Sequence, residues 1–204
     1  MRKPKIPNDE QLRSNLVQIT SRVERSAEIL ALVVRNSNDD CVGIVESINR
    51  LGKEGDELTL CMDVELAKTR LPPSVRQNYR ELARSLRELL ELISLTALGA
   101  MHCRLKRPMP VTAEMCRLLL NQVKEIARAM ARYDDRDQLR EVCIEIDHLG
   151  NCASRLLQSG TGLLSGEDMV EVIARKRIFE CVEKATDKAE DIAQYFYSLV
   201  LKSA

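Results

Sequence analysis

Tryptophan is missing from this 204-residue chain, and phenylalanine and tyrosine together supply only six residues. With apolar residues at 45%, the core must be built on aliphatic side chains, which favours packed helices. An excess charge of one sign is missing too. Lysine plus arginine and aspartate plus glutamate both number 31, split 15 and 15 before Cys103 and 16 and 16 from there on. Neither half is a charged tail, and the balance argues against a nucleic-acid partner. The seven cysteines (41, 61, 103, 116, 143, 152 and 181) form no Cys-x-x-Cys pair. Their odd number, scattered along amphipathic segments, fits reduced thiols serving as small apolar residues. No serine motif stands out, and no nucleophile motif is read in the chain. The basic start Met1-Arg2-Lys3-Pro4-Lys5-Ile6-Pro7 is followed by no apolar run, so no secretion signal is expected. The most apolar run, Leu89–Met101, is short and carries Glu91, too little to span a bilayer. The expectation is a soluble cytoplasmic chain, long enough to bury roughly 70% of its unfolded surface without a metal or disulfide.

What is present is helical periodicity. Six segments are expected, and most open on a capping residue. Asn8 with Gln11 opens the first, whose inner face runs Leu12, Leu16, Ile19, Val23, Ala27, Leu30 and Val34. Ser37 with Asp40 opens the second, with Ile44, Ile48, Leu51, Gly55, Leu58, Met62 and Leu66 inward. Leu71-Pro72-Pro73 stops it, and Ser74 with Gln77 starts the third, facing in through Leu82, Leu86, Leu89 and Ile93. The stretch His102–Pro110, with Pro108 and Pro110, reads as the internal boundary. Thr112 is expected to cap the fourth (Met115, Leu119, Val123, Ile126, Met130) and Asp134 with Asp137 the fifth (Leu139, Val142, Ile146, Leu149, Ala153, Leu156). Gly160, Gly162 and Gly166 break the chain before the sixth, about 167–201, which Ser165 and Asp168 would cap. Nothing reads as strand. The class is all-α, an antiparallel six-helix bundle forming a single domain over 1–204.

The halves match in layout: a medium helix, a longer one, a turn and a long helix. Setting Leu51–Asp56 beside Ile146–Asn151, and Leu86–Glu91 beside Val182–Asp187, keeps the apolar frames in phase. Two pseudo-repeated three-helix units follow, about 8–103 and 109–204. That superposition aligns four polar sites per half: Gly52, Asp56, Arg87 and Glu91 in the first, Asp147, Asn151, Glu183 and Asp187 in the second. Two helices each presenting acids at i and i+4 make an oxygen-rich site for a hard cation. The second set nearly meets this, with three carboxylates and an amide. In the first, Gly52 has no ligand atom, and Arg87 can satisfy Asp56 and Glu91 by a salt bridge in place of a metal. The last helix adds its own ladder, Glu183, Asp187 and Glu190, beside the stripe Val182, Ala185, Ala189, Ile192, Phe196 and Leu199. Lys184 and Lys188 can partly neutralise it, and a solvated acidic face explains the ladder equally well.

The run Val182-Glu183-Lys184-Ala185-Thr186-Asp187-Lys188-Ala189-Glu190-Asp191-Ile192-Ala193, with the ending Leu199-Val200-Leu201-Lys202-Ser203-Ala204, resembles the PhoU-like phosphate transport regulators, relatives of PhoU associated with Pit-type transporters. Glu54-Gly55-Asp56-Glu57 is similar to the acidic Glu-Gly-Asp segment of that family. The resemblance implies two repeated three-helix bundles and Glu/Asp-x-x-x-Asp motifs able to hold iron, zinc or a similar ion. Carried over, Glu183 and Asp187 fit such a motif in full. Asp147 fits its first acid with Asn151 in place of the second, and Asp56 and Glu91 fit single acids of the first-half motifs. It implies a non-enzymatic regulator in the cytoplasm, or peripheral at the inner membrane face, that docks on a membrane phosphate transporter. A homo-oligomer remains compatible with it. The alternative is a helical scaffold with neither metal nor transporter.

Other motifs carry less. Glu145-x-x-His148 matches one element of a di-iron bundle, but His102 has no glutamate three residues before it. Gly160-Thr161-Gly162 lacks the strand and lysine of a phosphate loop. Arg104-Leu105-Lys106-Arg107 and Arg175-Lys176-Arg177 read as solvated basic surface.

Overall fold

In the computed structural model the residues described are 9–35, 41–102, 110–131, 136–161 and 169–202. They form six α-helices: α1 Asp9–Arg35, α2 Cys41–Lys68, α3 Pro73–His102, α4 Pro110–Ala131, α5 Arg136–Thr161 and α6 Met169–Lys202. Among the described residues there is no strand, and no helix is long and apolar enough to cross a membrane.

Each helix exists because its apolar residues recur at three- and four-residue steps and find a neighbour to cover them. Leu12, Ile19, Val23 and Leu30 of α1, Leu82, Leu86, Leu89 and Ile93 of α3, and Met115, Leu119 and Val123 of α4 have no exposed surface. Three of the polar residues buried in the helices bond back into their own helix. The hydroxyls of Thr20, Thr96 and Thr186 donate to the carbonyls of Leu16, Leu92 and Glu183 at 2.8, 2.8 and 2.7 Å.

α1, α2 and α3 pack on one another, as do α4, α5 and α6, and the two trios meet through α1 on α4 and α3 on α6. Each junction therefore joins a helix to its own counterpart, the arrangement expected of two pseudo-repeated units. α2 and α3 run antiparallel, and so do α3 and α6 across the junction. Asp63 meets Arg80 and Asn49 meets Ser94 across α2 and α3. Gly99 lies against Ile178 while Glu88 meets Lys188 across α3 and α6.

Several helix ends differ from expectation. The α2 terminus is closed by the Thr69 backbone N–H and hydroxyl, both donating to the Leu66 carbonyl at 3.3 and 2.9 Å. The backbone N–H groups of Val75 and Arg76 donate to the Pro72 carbonyl at 3.0 Å. Pro72 thus stands where Ser74 was expected to cap, and Pro73 takes the first helical position, where a missing N–H does no harm. Pro110 likewise begins α4, which places Thr112 inside the first turn, fully buried, rather than at the cap. His102 and Pro110 belong to helices, so the boundary narrows to 103–109. Gly160 is not a breaker but part of the last turn of α5. A Cβ there would lie 2.7 Å from the Val111 side chain, so its bareness lets α4 and α5 close. Arg175, expected on an exposed face, is buried. It stands three residues before Ile178 and seven before Val182, on the inward stripe, whereas Lys176 and Arg177 are exposed. Cys116 is buried, and its thiol is pushed up to about 12 by that burial, but Cys61 is exposed. The caps expected at Asn8, Ser37 with Asp40, Asp134, and Ser165 with Asp168, and the basic Arg104–Arg107, lie outside the described residues, as does the Leu199 side chain.

Candidate functional site

α6 is held on both sides. Val182, Ala185, Ala189 and Ile192 are fully buried, and Thr186 is nearly so. Lys188 reaches across to Glu88 of α3 at 3.1 Å and to Asp191 of its own helix at 3.2 Å, while Arg84 donates to Glu88 at 3.0 Å. Burial pushes the Glu88 carboxyl up, but the bonds and charges of Lys188 and Arg84 outweigh it and hold the group below its ordinary value. Lys188 is held above its own, because Glu88 and Asp191 outweigh the effect of burial. The lysine expected to neutralise the ladder is therefore spanning the junction between the trios.

In the first half the superposed positions form an ion pair. Arg87 Nε lies 2.5 Å from Asp56 Oδ1. Its guanidinium is raised first by the Asp56 hydrogen bond and charge, with smaller contributions from Glu91 and Glu88. Arg87, Asp56 and Glu91 are all exposed, and Gly52 has only open space in front of it. Here a cation of the chain's own sits where a metal ion would.

In the second half acids of α5 and α6 act on one another. Gly150 lies against Glu190, and the Cys143 Sγ approaches the Ala193 carbonyl at 3.5 Å. Asp147, between them on α5, acts by its charge on Glu190 of α6. Glu183 stands about one turn before Asp187 along α6. The neighbour whose carboxyl Asp147 raises is Glu190, by its negative charge, together with Asp187 and Asp191 and after the larger effect of burial. Asp187 is raised by burial and then by Asp191. Asn151 Nδ2 donates to the Asp147 carbonyl at 2.9 Å, a bond within α5 that turns the amide along its own helix. Among the described residues no three His, Cys, Asp or Glu side chains gather closely enough to hold a metal ion. The residues as placed do not make a ready iron or zinc centre. Glu145 and His148 are exposed on α5.

One participant, Gln122, was not singled out from the sequence, and another, Glu190, was read only as part of the acidic ladder. Gln122 of α4 is fully buried, its Nε2 donating to the Ile146 carbonyl at 3.1 Å. Glu190 fills the space in front of Gly150, its Oε1 only 1.6 Å from where a Cβ would stand. The signals were a glutamine inside the stripe Leu119, Val123 and Ile126, and a glycine in mid-helix, where alanine is about 1 kcal/mol better unless space forbids it. A small cavity among α4, α5 and α6, lined by Ile126, Val142, Cys143, Ile146 and Phe196, among others, has almost no polar surface with which to orient a ligand.

No family model and no curated protein matches the sequence. Solved structures do. A PhoU-like protein from Shewanella oneidensis MR-1 superimposes with a TM-score of 0.81 at 17% identity, over 94% of this chain and 99% of that one. This chain has the PhoU-like fold. PhoU from Pseudomonas aeruginosa gives 0.76 at 18% identity, over 96% and 98% of the two chains. The phosphate transport system regulatory protein PhoU from Streptococcus pneumoniae gives 0.74 at 12%, over 93% of each. The six helices thus share the fold of PhoU-like structures over 93–96% of the chain, with an ion pair and a local amide bond at positions where acids were sought.

Proposed function

We propose that this chain is a non-enzymatic regulator of inorganic phosphate transport that acts from the cytoplasm by docking on a membrane phosphate transporter of the Pit type or another. The observation that carries the reading is whole-chain likeness to a structure described as a PhoU-like phosphate regulatory protein, at a TM-score of 0.80 over 94% of this chain and 99% of that one. A shared role would use the same helical body. A rigid helical surface acts on a transporter only if it binds one transport state more tightly than another. Docking without such a difference would leave uptake unchanged.

Glu183 and Asp187 are the acids left for an ion in the second half, and binding there is at most weak. Titration with iron or zinc after chelation checks this. An affinity unchanged by Glu183→Ala with Asp187→Ala would remove these residues from any ion site, whereas tight stoichiometric binding lost on that change would restore a metal to the reading. For function, phosphate uptake is compared in cells with and without the protein, with recovery of a phosphate permease on the purified chain as the physical partner test. An altered rate together with co-purification supports the proposal. Uptake unchanged in either direction removes it and leaves a helical scaffold.

A further inference from the structure

At the meeting of α4, α5 and α6, one hydrogen-bonding group is without a partner. Gln122 has no exposed surface, and its Nε2 is committed to the Ile146 carbonyl. That bond uses one of the two Nε2 protons, and the Oε1 beside it is buried and accepts from nothing among the described residues. A buried acceptor left in that state is costly, by about 1–3 kcal/mol in general, so a donor is wanted within reach. The amide and the Glu190 carboxyl face the same space. Glu190 Oε1 stands 1.6 Å and Gln122 Nε2 3.2 Å from the position a Cβ on Gly150 would occupy. An ionised carboxylate is an acceptor only and cannot serve Oε1, whereas a protonated one carries the O–H that can.

We propose that Glu190 is a proton-operated latch between α6 and α4: protonated, it donates to Gln122 Oε1 across the bare face of Gly150, and ionised it releases that bond and turns toward solvent. One proton is taken up on closing and returned to water on opening. The surrounding charges favour the closed form. α5 contributes Asp147, and α6 contributes Asp187 and Asp191, all negative and all acting on Glu190, whose carboxyl is raised by burial first and by these three in turn. α5 also brings the Cys143 thiol, itself raised by burial and by Asp147 and so neutral. α4 brings the uncharged Gln122. α3 meets α6 through the Glu88–Lys188 pair. Lys188, two residues before Glu190, is rotated about 200° around α6 and so points away from the latch. No cation therefore stabilises ionised Glu190 from the packed side.

The latch is tested by carbon NMR of the side-chain carboxyl of Glu190 and the side-chain carbonyl of Gln122 in the full chain, followed through pH. The two signals are expected to move together with one midpoint above 4.5, the ordinary value for glutamate. A Gln122 carbonyl that stays flat while Glu190 titrates overturns the proposal, and needs no variant. Gly150→Ala keeps the helix and puts a methyl group where the carboxyl lies. It should drive Glu190 out and return its midpoint toward 4.5, and an unmoved midpoint would count against the latch. Glu190→Gln places an amide N–H₂ where the acid O–H would be. Because a group held above its unfolded value adds stability below that value and loses it as pH rises through the folded one, wild type should weaken from pH 4.5 upward. E190Q should not, so its melting temperature should exceed that of wild type at pH 7 and converge with it in acid. The opposite order at pH 7 would refute the proposal.

Discussion

At Lys188 a single side chain connects the two trios, and its chemistry sets a pH window opposite in sign to that of Glu190. Glu88 is held below 4.5, so its contribution is present above that value and lost as pH falls through the lower folded one. Lys188 is held above 10.5, so its contribution is lost only as pH rises through that higher value. The pair therefore stabilises the fold across the broad middle of the scale. Lys188→Met should lower the melting temperature between those limits and leave little difference from wild type in strong acid, which a thermal scan at a series of pH values would show. A constant offset down to the lowest pH would mean that lost packing of the lysine stem, not charge, is responsible. Arg87 and Asp56 make the contrasting case. Both side chains are about half exposed, at 45% and 51%. A double-mutant cycle on them should return a coupling of about 0.2–1 kcal/mol despite the short contact, because water screens the pair and two side chains must be ordered to form it.

Among the helices, legibility follows how local the cause is. The stripes of α1, α3 and α4 were readable because burial follows a period that the chain carries within itself, and the residues expected inside, such as Leu86 and Val123, have no exposed surface. The ion pair of Arg87 with Asp56 was readable as well, since opposite charges on adjacent faces need no exact register. What a third helix contributes was not readable. The superposition grouped Asp147 with Glu183 and Asp187 but did not single out its effect on Glu190. Gly150 and Gly160 admit Glu190 and Val111, and no period announces such contacts. Gly160→Ala tests the claim. Alanine should gain up to about 1 kcal/mol of helix propensity, yet the Val111 side chain 2.7 Å away is short and β-branched and cannot swing aside. Overpacking of about 1–3 kcal/mol should dominate, lowering the denaturation midpoint without changing the slope. A midpoint that rises would show that α4 and α5 are not held apart by this contact.

For the molecule as a whole, the question is why two similar trios join to each other and not each to its own kind. The junction pairs α1 with α4 and α3 with α6, helices that are counterparts, so a copy of either half presents much the same surface. Charge and volume at α3 and α6 break the tie. Glu88 meets Lys188, and Gly99 accommodates Ile178. In the register that sets Leu86 beside Val182, two second halves would place Lys188 opposite Lys184, a repulsion between like charges. Two first halves would place Glu88 opposite Leu92, a carboxylate with no partner. The second-half counterpart of Gly99 is Tyr195, which cannot make room for Ile178 as glycine does. Residues 1–103 and 109–204 expressed separately should therefore be poorly ordered or weakly self-associated, since each exposes an apolar face that the other covers. Mixed, they should recover helicity and form a one-to-one complex, read by circular dichroism and native mass spectrometry. Lys188→Glu in the second fragment should weaken that complex, and Glu88→Lys in the first should restore it by exchanging the signs. Recovery that ignores the exchange would place the selectivity in α1 on α4 instead, and a second fragment that is monomeric and fully folded alone would show that the junction is not needed for either half to fold.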